Sequence, residues 1–74
     1  MNLAEIKAKI IAQLPGAQVE VEDLNGHGDH FSAQVAAPQF NGKSLVEQHQ
    51  MVYAALGEAM RTGIHALALE TKPL

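Results

Sequence analysis

At Pro15-Gly16 the hydrophobic period of the chain changes from that of a helix to that of a strand. Nothing else in the sequence restricts its fold as much. Before the break, Leu3, Ile6, Ile10 and Leu14 recur at helical spacing, and Ile11 widens the stripe. This predicts a helix over 2–14, with Asn2 as N-cap and Glu5 three residues later. After the break, Ala17, Val19 and Val21 alternate with Gln18, Glu20 and Glu22, which predicts a strand over 17–24 with one wet face. A second alternating run, Phe31, Ala33, Val35 and Ala37, predicts a strand over 30–37. The turn Asn25-Gly26-His27-Gly28-Asp29 lies between them, so the two strands form a hairpin. Pro38 ends the second strand.

The second half returns to the helical period. Phe40-Asn41-Gly42-Lys43 reads as a loop, and Ser44 with Glu47 is a full capping box. Leu45, Val52, Leu56 and Met60 line the expected buried side, with Tyr53 close by. Gly57 divides the stretch into two helices, and Thr62-Gly63 ends it. Residues 64–69 form a last strand with Leu67 and Leu69 on one face, and Glu70 to Leu74 is expected to be a loose tail. The order α-β-β-α-(α)-β predicts an α+β, two-layer sandwich: a three-stranded sheet with helices on one face. No repeat or linker interrupts the chain, so residues 1–74 read as one domain.

Size and composition then exclude whole classes of function. A chain of 74 residues, 12 of them Ala, buries only a modest core and has little interior for a self-contained active site. With no cysteine it has no disulfide, no thiolate nucleophile and no thiolate metal ligand. Any iron–sulfur or copper site would need its sulfur from a partner. Five Lys and Arg against a net charge of −3 argue against a nucleic-acid binder. Residues Met1 to Leu14 carry Glu5, Lys7 and Lys9 inside the apolar pattern, so no signal peptide is expected. The longest uncharged run, Phe31 to Gly42, is too short to span a bilayer. A cytoplasmic protein with no membrane partner is the expectation.

Four histidines carry what chemistry remains: His27, His30, His49 and His65. His27 and His30 form an H-G-D-H in a glycine-rich turn, where imidazoles either reach a metal or stand solvated on a loop tip. Strand parity turns His30 away from the Phe31 side. His65 opens the last strand and by parity shares the Leu67 and Leu69 face, the position of a half-buried structural histidine unless it meets another imidazole. His49 sits one turn after Leu45, at the edge of the core. The carboxylates form no converging pair, and Ser44 has no paired base, so no enzyme is expected. Asn41-Gly42-Lys43-Ser44 ends like a phosphate loop but lacks its first glycine.

The segment from Phe40 to Tyr53, F-N-G-K-S-L-V-E-Q-H-Q-M-V-Y, followed by Gly63-Ile64-His65-Ala66-Leu67-Ala68-Leu69, resembles the BolA family. Val21-Glu22-Asp23 and Asp29-His30-Phe31 are similar to its first hairpin, so the likeness runs from about residue 3 to 71. The resemblance implies a fold related to the class II KH domain. It also implies an adaptor that joins a monothiol glutaredoxin and bridges a [2Fe–2S] cluster with it, in iron–sulfur trafficking and iron homeostasis. Some bacterial members are linked to transcription, morphology and stress responses. The implied ligands are His65 and a hairpin imidazole, for which His27 best matches the family's loop position and His30, before Phe31, is the rival. Sulfur would come from the partner and its glutathione, with no cluster expected on this chain alone. Two departures qualify the likeness. Many members flank the helical histidine with arginines, whereas Gln48 and Gln50 surround His49 here. Many members also continue past the last strand, so contacts made by that tail are expected to be absent. The alternative function is a KH-like nucleic-acid-binding regulator using Lys43 and Arg61 near helix ends. A plain interaction module and a homodimer stay open.

Overall fold

Asn2 opens the first helix in the computed structural model, which describes all 74 residues. Its Oδ1 accepts a hydrogen bond from Glu5 N at 2.8 Å, satisfying one of the free donors at the helix start. Helix α1 runs Leu3–Gln13. Strand β1 covers Gln18–Asp23 and β2 covers His30–Ala37. They pair antiparallel from Gln18↔Ala36 to Asp23↔Phe31, which is the expected hairpin. A 3₁₀ turn, Pro38–Phe40, follows β2 and drives Phe40 fully into the core.

Helix α2 spans Leu45–Leu56 and a short α3 spans Ala59–Thr62. The capping box is complete: Ser44 Oγ accepts from Glu47 N at 3.1 Å, and Glu47 Oε1 accepts from Ser44 N at 2.9 Å. Gly57 separates the helices, as expected. Its φ of 55° lies in the region that side chains avoid, and its N–H still closes the last turn on Tyr53 O at 2.9 Å.

Strand β3, Ala66–Pro73, pairs parallel with β2 from His30↔Ala66 to Ala37↔Pro73. The sheet order is therefore β1-β2-β3, with β2 central. The twelve buried apolar side chains of the core join both layers: Ile6 and Ile10 from α1, Val52 and Leu56 from α2, and Val19, Phe31 and Val35 from the sheet. Gln18, Glu20, Gln34, Ala68, Glu70 and Lys72 stand exposed, on the sheet face turned away from the helices. The two-layer α+β architecture stands as expected.

Three local expectations are corrected. The last strand does not end at Leu69, and Glu70 to Pro73 are not a loose tail. Ladder bonds belong to the backbone, so polar residues there extend the pairing along a central strand that is eight residues long. Leu45 does not line the buried side but is 59% exposed. Its place in the inward stripe belongs to Gln48, which is buried because its Nε2 donates to Lys43 O at 3.0 Å. His65 does not open the strand. It sits on a bend one residue before β3, which frees its ring from strand parity.

Removing the cap hydroxyl with Ser44→Ala should cost about 1 kcal/mol in chemical denaturation. The Glu47 carboxyl is held below the usual 4.5 by hydrogen bonds from the Ser44 backbone and hydroxyl, opposed by desolvation and aided by Lys43. A depressed carboxylate stabilises the fold above its unfolded value and loses that effect as the pH falls through the lower folded value. The stability lost in Glu47→Gln should therefore be largest near neutrality and shrink in acid. A difference that is constant with pH would contradict this.

Candidate functional site

Parallel pairing brings the starts of β2 and β3 to the same end of the sheet, and with them two imidazoles distant in sequence. His30 is the first residue of β2. His65 follows the buried Ile64 at the bend before β3. Both His65 N and Ala66 N donate to Asp29 O, at 2.7 and 3.2 Å, so one carbonyl pins the bend against the hairpin. The rings of His30 and His65 stack with centroids 4.9 Å apart and planes 20° from parallel. His30 is half-buried and His65 is exposed.

The turn that carries His27 and Asp29 is built by two side chains. The Asp23 carboxylate accepts from Asn25 N, Gly26 N and Gly28 N at 3.2, 2.8 and 3.0 Å. Gly26 and Gly28 have φ of 76° and 75°, which is why glycine stands at both corners. Asn25 works in both directions: its Oδ1 accepts from His27 N at 2.9 Å, and its Nδ2 donates to Asp29 Oδ1 at 3.1 Å. The Asp29 carboxyl is thereby held below its usual range, first by the Asn25 amide, against desolvation, and then by the nearby charges of His30, His27 and His65. Its Oδ2 stands 4.0 Å from His30 Nε2. Asp29 thus sets a carboxylate beside His30. Sequence reasoning gave it no role, although its place between His27 and His30 was the available signal.

The histidines do not share one cleft. His27 is exposed and lines a shallow cleft with Met1, Asn2, Glu5 and Asp23, whereas His65 lines another of about 290 Å³ with Asp29 and Arg61. His49 is edge-on to Tyr53 on α2, with ring centroids 6.4 Å apart. Arg61 Nη1 lies 3.2 Å from Glu58 Oε1 in an exposed pair, whereas Lys43 makes no salt bridge. No group of three or more His, Asp or Glu side chains converges enough to hold a metal ion.

Comparison with known proteins places this geometry in context. Residues 3–73 match the family described as BolA-like protein. The chain is 40% identical over 67 residues to the protein BOLA2 of Arabidopsis thaliana, covering 89% of this chain and 71% of that one. It is 37% identical over 46 residues to the DNA-binding transcriptional regulator BolA of Escherichia coli, covering 62% and 44% of the two chains. The solved structure of a bolA protein homologue from Coxiella burnetii superposes with a TM-score of 0.80 at 39% identity, over 96% of this chain and 88% of that one.

Asn25→Ala removes the amide that holds the Asp29 carboxyl down. The Asp29 titration followed by carbon NMR should move up toward the ordinary value of 3.8. An unmoved midpoint would show that the imidazole charges alone set it.

Proposed function

The chain belongs to the BolA-like family, and on that premise we propose that it is an adaptor that docks on a monothiol glutaredoxin and lends imidazole ligands to a shared [2Fe–2S] cluster, its cargo in iron–sulfur trafficking and iron homeostasis. The observation that carries this is the meeting of His30 and His65, 35 positions apart in sequence, in ring contact at one end of the sheet beside Asp29. A structural histidine needs no second imidazole stacked on it at an exposed sheet end.

The donor set fits a shared cluster rather than a resident one. Iron–sulfur clusters are held mainly by thiolates, and this chain has none. It offers nitrogen donors, held in place before any partner arrives. His65 is fixed by the hydrogen bonds of its own and the next residue's N–H to Asp29 O. The second donor comes from the hairpin, either His30, which touches His65, or His27 on the adjoining turn. Asp29 Oδ2, 4.0 Å from His30 Nε2, is the nearby carboxylate that a ligating imidazole could reach with its second nitrogen. Histidine in place of thiolate raises the reduction potential of a [2Fe–2S] centre, which suits a cluster that is handed on.

The Escherichia coli relative is by name a DNA-binding transcriptional regulator, which supports nucleic-acid regulation as the second reading. Here α2 carries no Lys or Arg and the chain has a net charge of −3, so a polyanion finds few cations to release its counterions, and the adaptor is favoured.

Anaerobic reconstitution with a monothiol glutaredoxin and glutathione, followed by visible circular dichroism, tests the proposal. Adding this chain should change the spectrum, and His65→Ala should abolish the change. His27→Ala against His30→Ala then assigns the second ligand. A ligating imidazole must be neutral, so the complex should weaken as the pH drops toward about 6. A spectrum identical to that of the glutaredoxin alone, with no complex on sizing, would sink the adaptor; salt-sensitive retention of duplex DNA would then favour the regulator.

A further inference from the structure

Two imidazoles that bind one iron must both point at it. A metal ion sits in the plane of an imidazole ring, on the lone pair of one nitrogen, about 2 Å away. The rings of His30 and His65 lie face to face instead, with centroids 4.9 Å apart and planes 20° from parallel. Planes so nearly parallel meet only far beyond the length of a metal–nitrogen bond. While the stack holds, no single iron lies in both ring planes at bonding distance, so these two rings do not act as a pair of ligands.

The histidines also differ in how they are held. His30 is the first residue of β2, in register with Ala66 of β3, and its carbonyl accepts from Leu24 N at 2.8 Å. Its Nε2 lies 4.0 Å from Asp29 Oδ2, and Asn25 Nδ2 holds the other oxygen of that carboxylate at 3.1 Å. His30 is half-buried, whereas His65 and His27 are exposed to an arriving partner. The backbone of His65 is pinned by its N–H on Asp29 O at 2.7 Å, but no hydrogen bond holds its ring. The aromatic contact of that ring is the face of His30.

Resting on the adaptor reading, we propose that His30 is a positioning residue and not a ligand: its ring backs the His65 imidazole, limits its rotation and so aims its nitrogen at the iron brought by the partner. Stacking suits this task, because rings attract through their π faces and leave the in-plane lone pairs free. A side chain ordered before binding also loses less freedom when the partner docks. The hairpin donor is then His27, carried on the turn between Gly26 and Gly28 rather than tied into a strand.

A phenyl ring stacks but has no nitrogen, which separates the two roles. The full chain is titrated into the anaerobically reconstituted complex of monothiol glutaredoxin, glutathione and cluster, followed by visible circular dichroism. The isolated chain is measured by NMR. His30→Phe should give the wild-type spectrum and affinity, and keep ring-to-ring nuclear Overhauser contacts with His65. His30→Ala should keep the shape of the spectrum but weaken the affinity about tenfold, the loss typical of removing a residue that orients a ligand. In the isolated His30→Ala chain, the side-chain couplings of His65 should move from those of one rotamer toward an average. A His30→Phe spectrum altered in the manner of His65→Ala would make His30 a ligand and overturn the inference while the adaptor reading stands. His30→Ala matching the wild type, in the complex or in the His65 couplings, would overturn it as well. No spectral change with the wild-type chain would overturn the adaptor reading and this inference together.

Discussion

The pairing of β2 on both sides is the constraint from which the rest of the molecule follows. Its eight residues bond antiparallel to β1 and parallel to β3. The antiparallel partner is reached through a short turn, but the parallel one requires the chain to cross back over the sheet. α2 and α3 make that crossing and supply the second half of the core. Phe31, Ala33, Val35 and Ala37 are buried along one face of the same strand, so the element that organises the sheet also anchors both helices.

The parallel register has a chemical consequence as well as a structural one. Strands that run the same way begin at the same end, so the residues preceding β3 arrive beside the hairpin turn. Asp29 connects the two: its carbonyl accepts from the backbone N–H groups of His65 and Ala66, and its carboxylate stands 4.0 Å from His30 Nε2. The turn holds its own shape through Asp23 and Asn25, each satisfying several neighbouring groups. The imidazoles thus sit on an ordered platform although the surface around them is open. A stacked pair of imidazoles at an open sheet end, on a chain with no thiolate, is the observation on which the proposed adaptor role rests.

Charge divides the surface in a way that matches this division of labour. Acids gather on β1 and on the hairpin turn, while the side formed by β3 and α2 is close to neutral. α2 carries no Lys or Arg and Arg61 pairs with Glu58, so no cationic stripe forms across the helices. Affinity for a polyanion depends on such stripes.

Much of this was legible from residue order alone. The change of period at Pro15-Gly16, the double-glycine turn, the Ser44 box and the break at Gly57 rest on local rules that act within a few residues, and the helices and hairpin follow from them. The His-bearing turn and His65 stood out because a chain without cysteine has few other donors. Tertiary structure alone decided three matters. It carried β3 on to Pro73, because pairing with a central strand supplies backbone bonds that no side-chain pattern announces. It put Gln48 rather than Leu45 in the inward stripe, because the amide has a carbonyl to meet at Lys43. It placed the His65 ring on His30, because the bend at the end of a parallel ladder releases a side chain from strand parity. Sequence determines which elements form, since their causes are local; which side chains meet depends on long-range pairing, whose partners lie dozens of residues away.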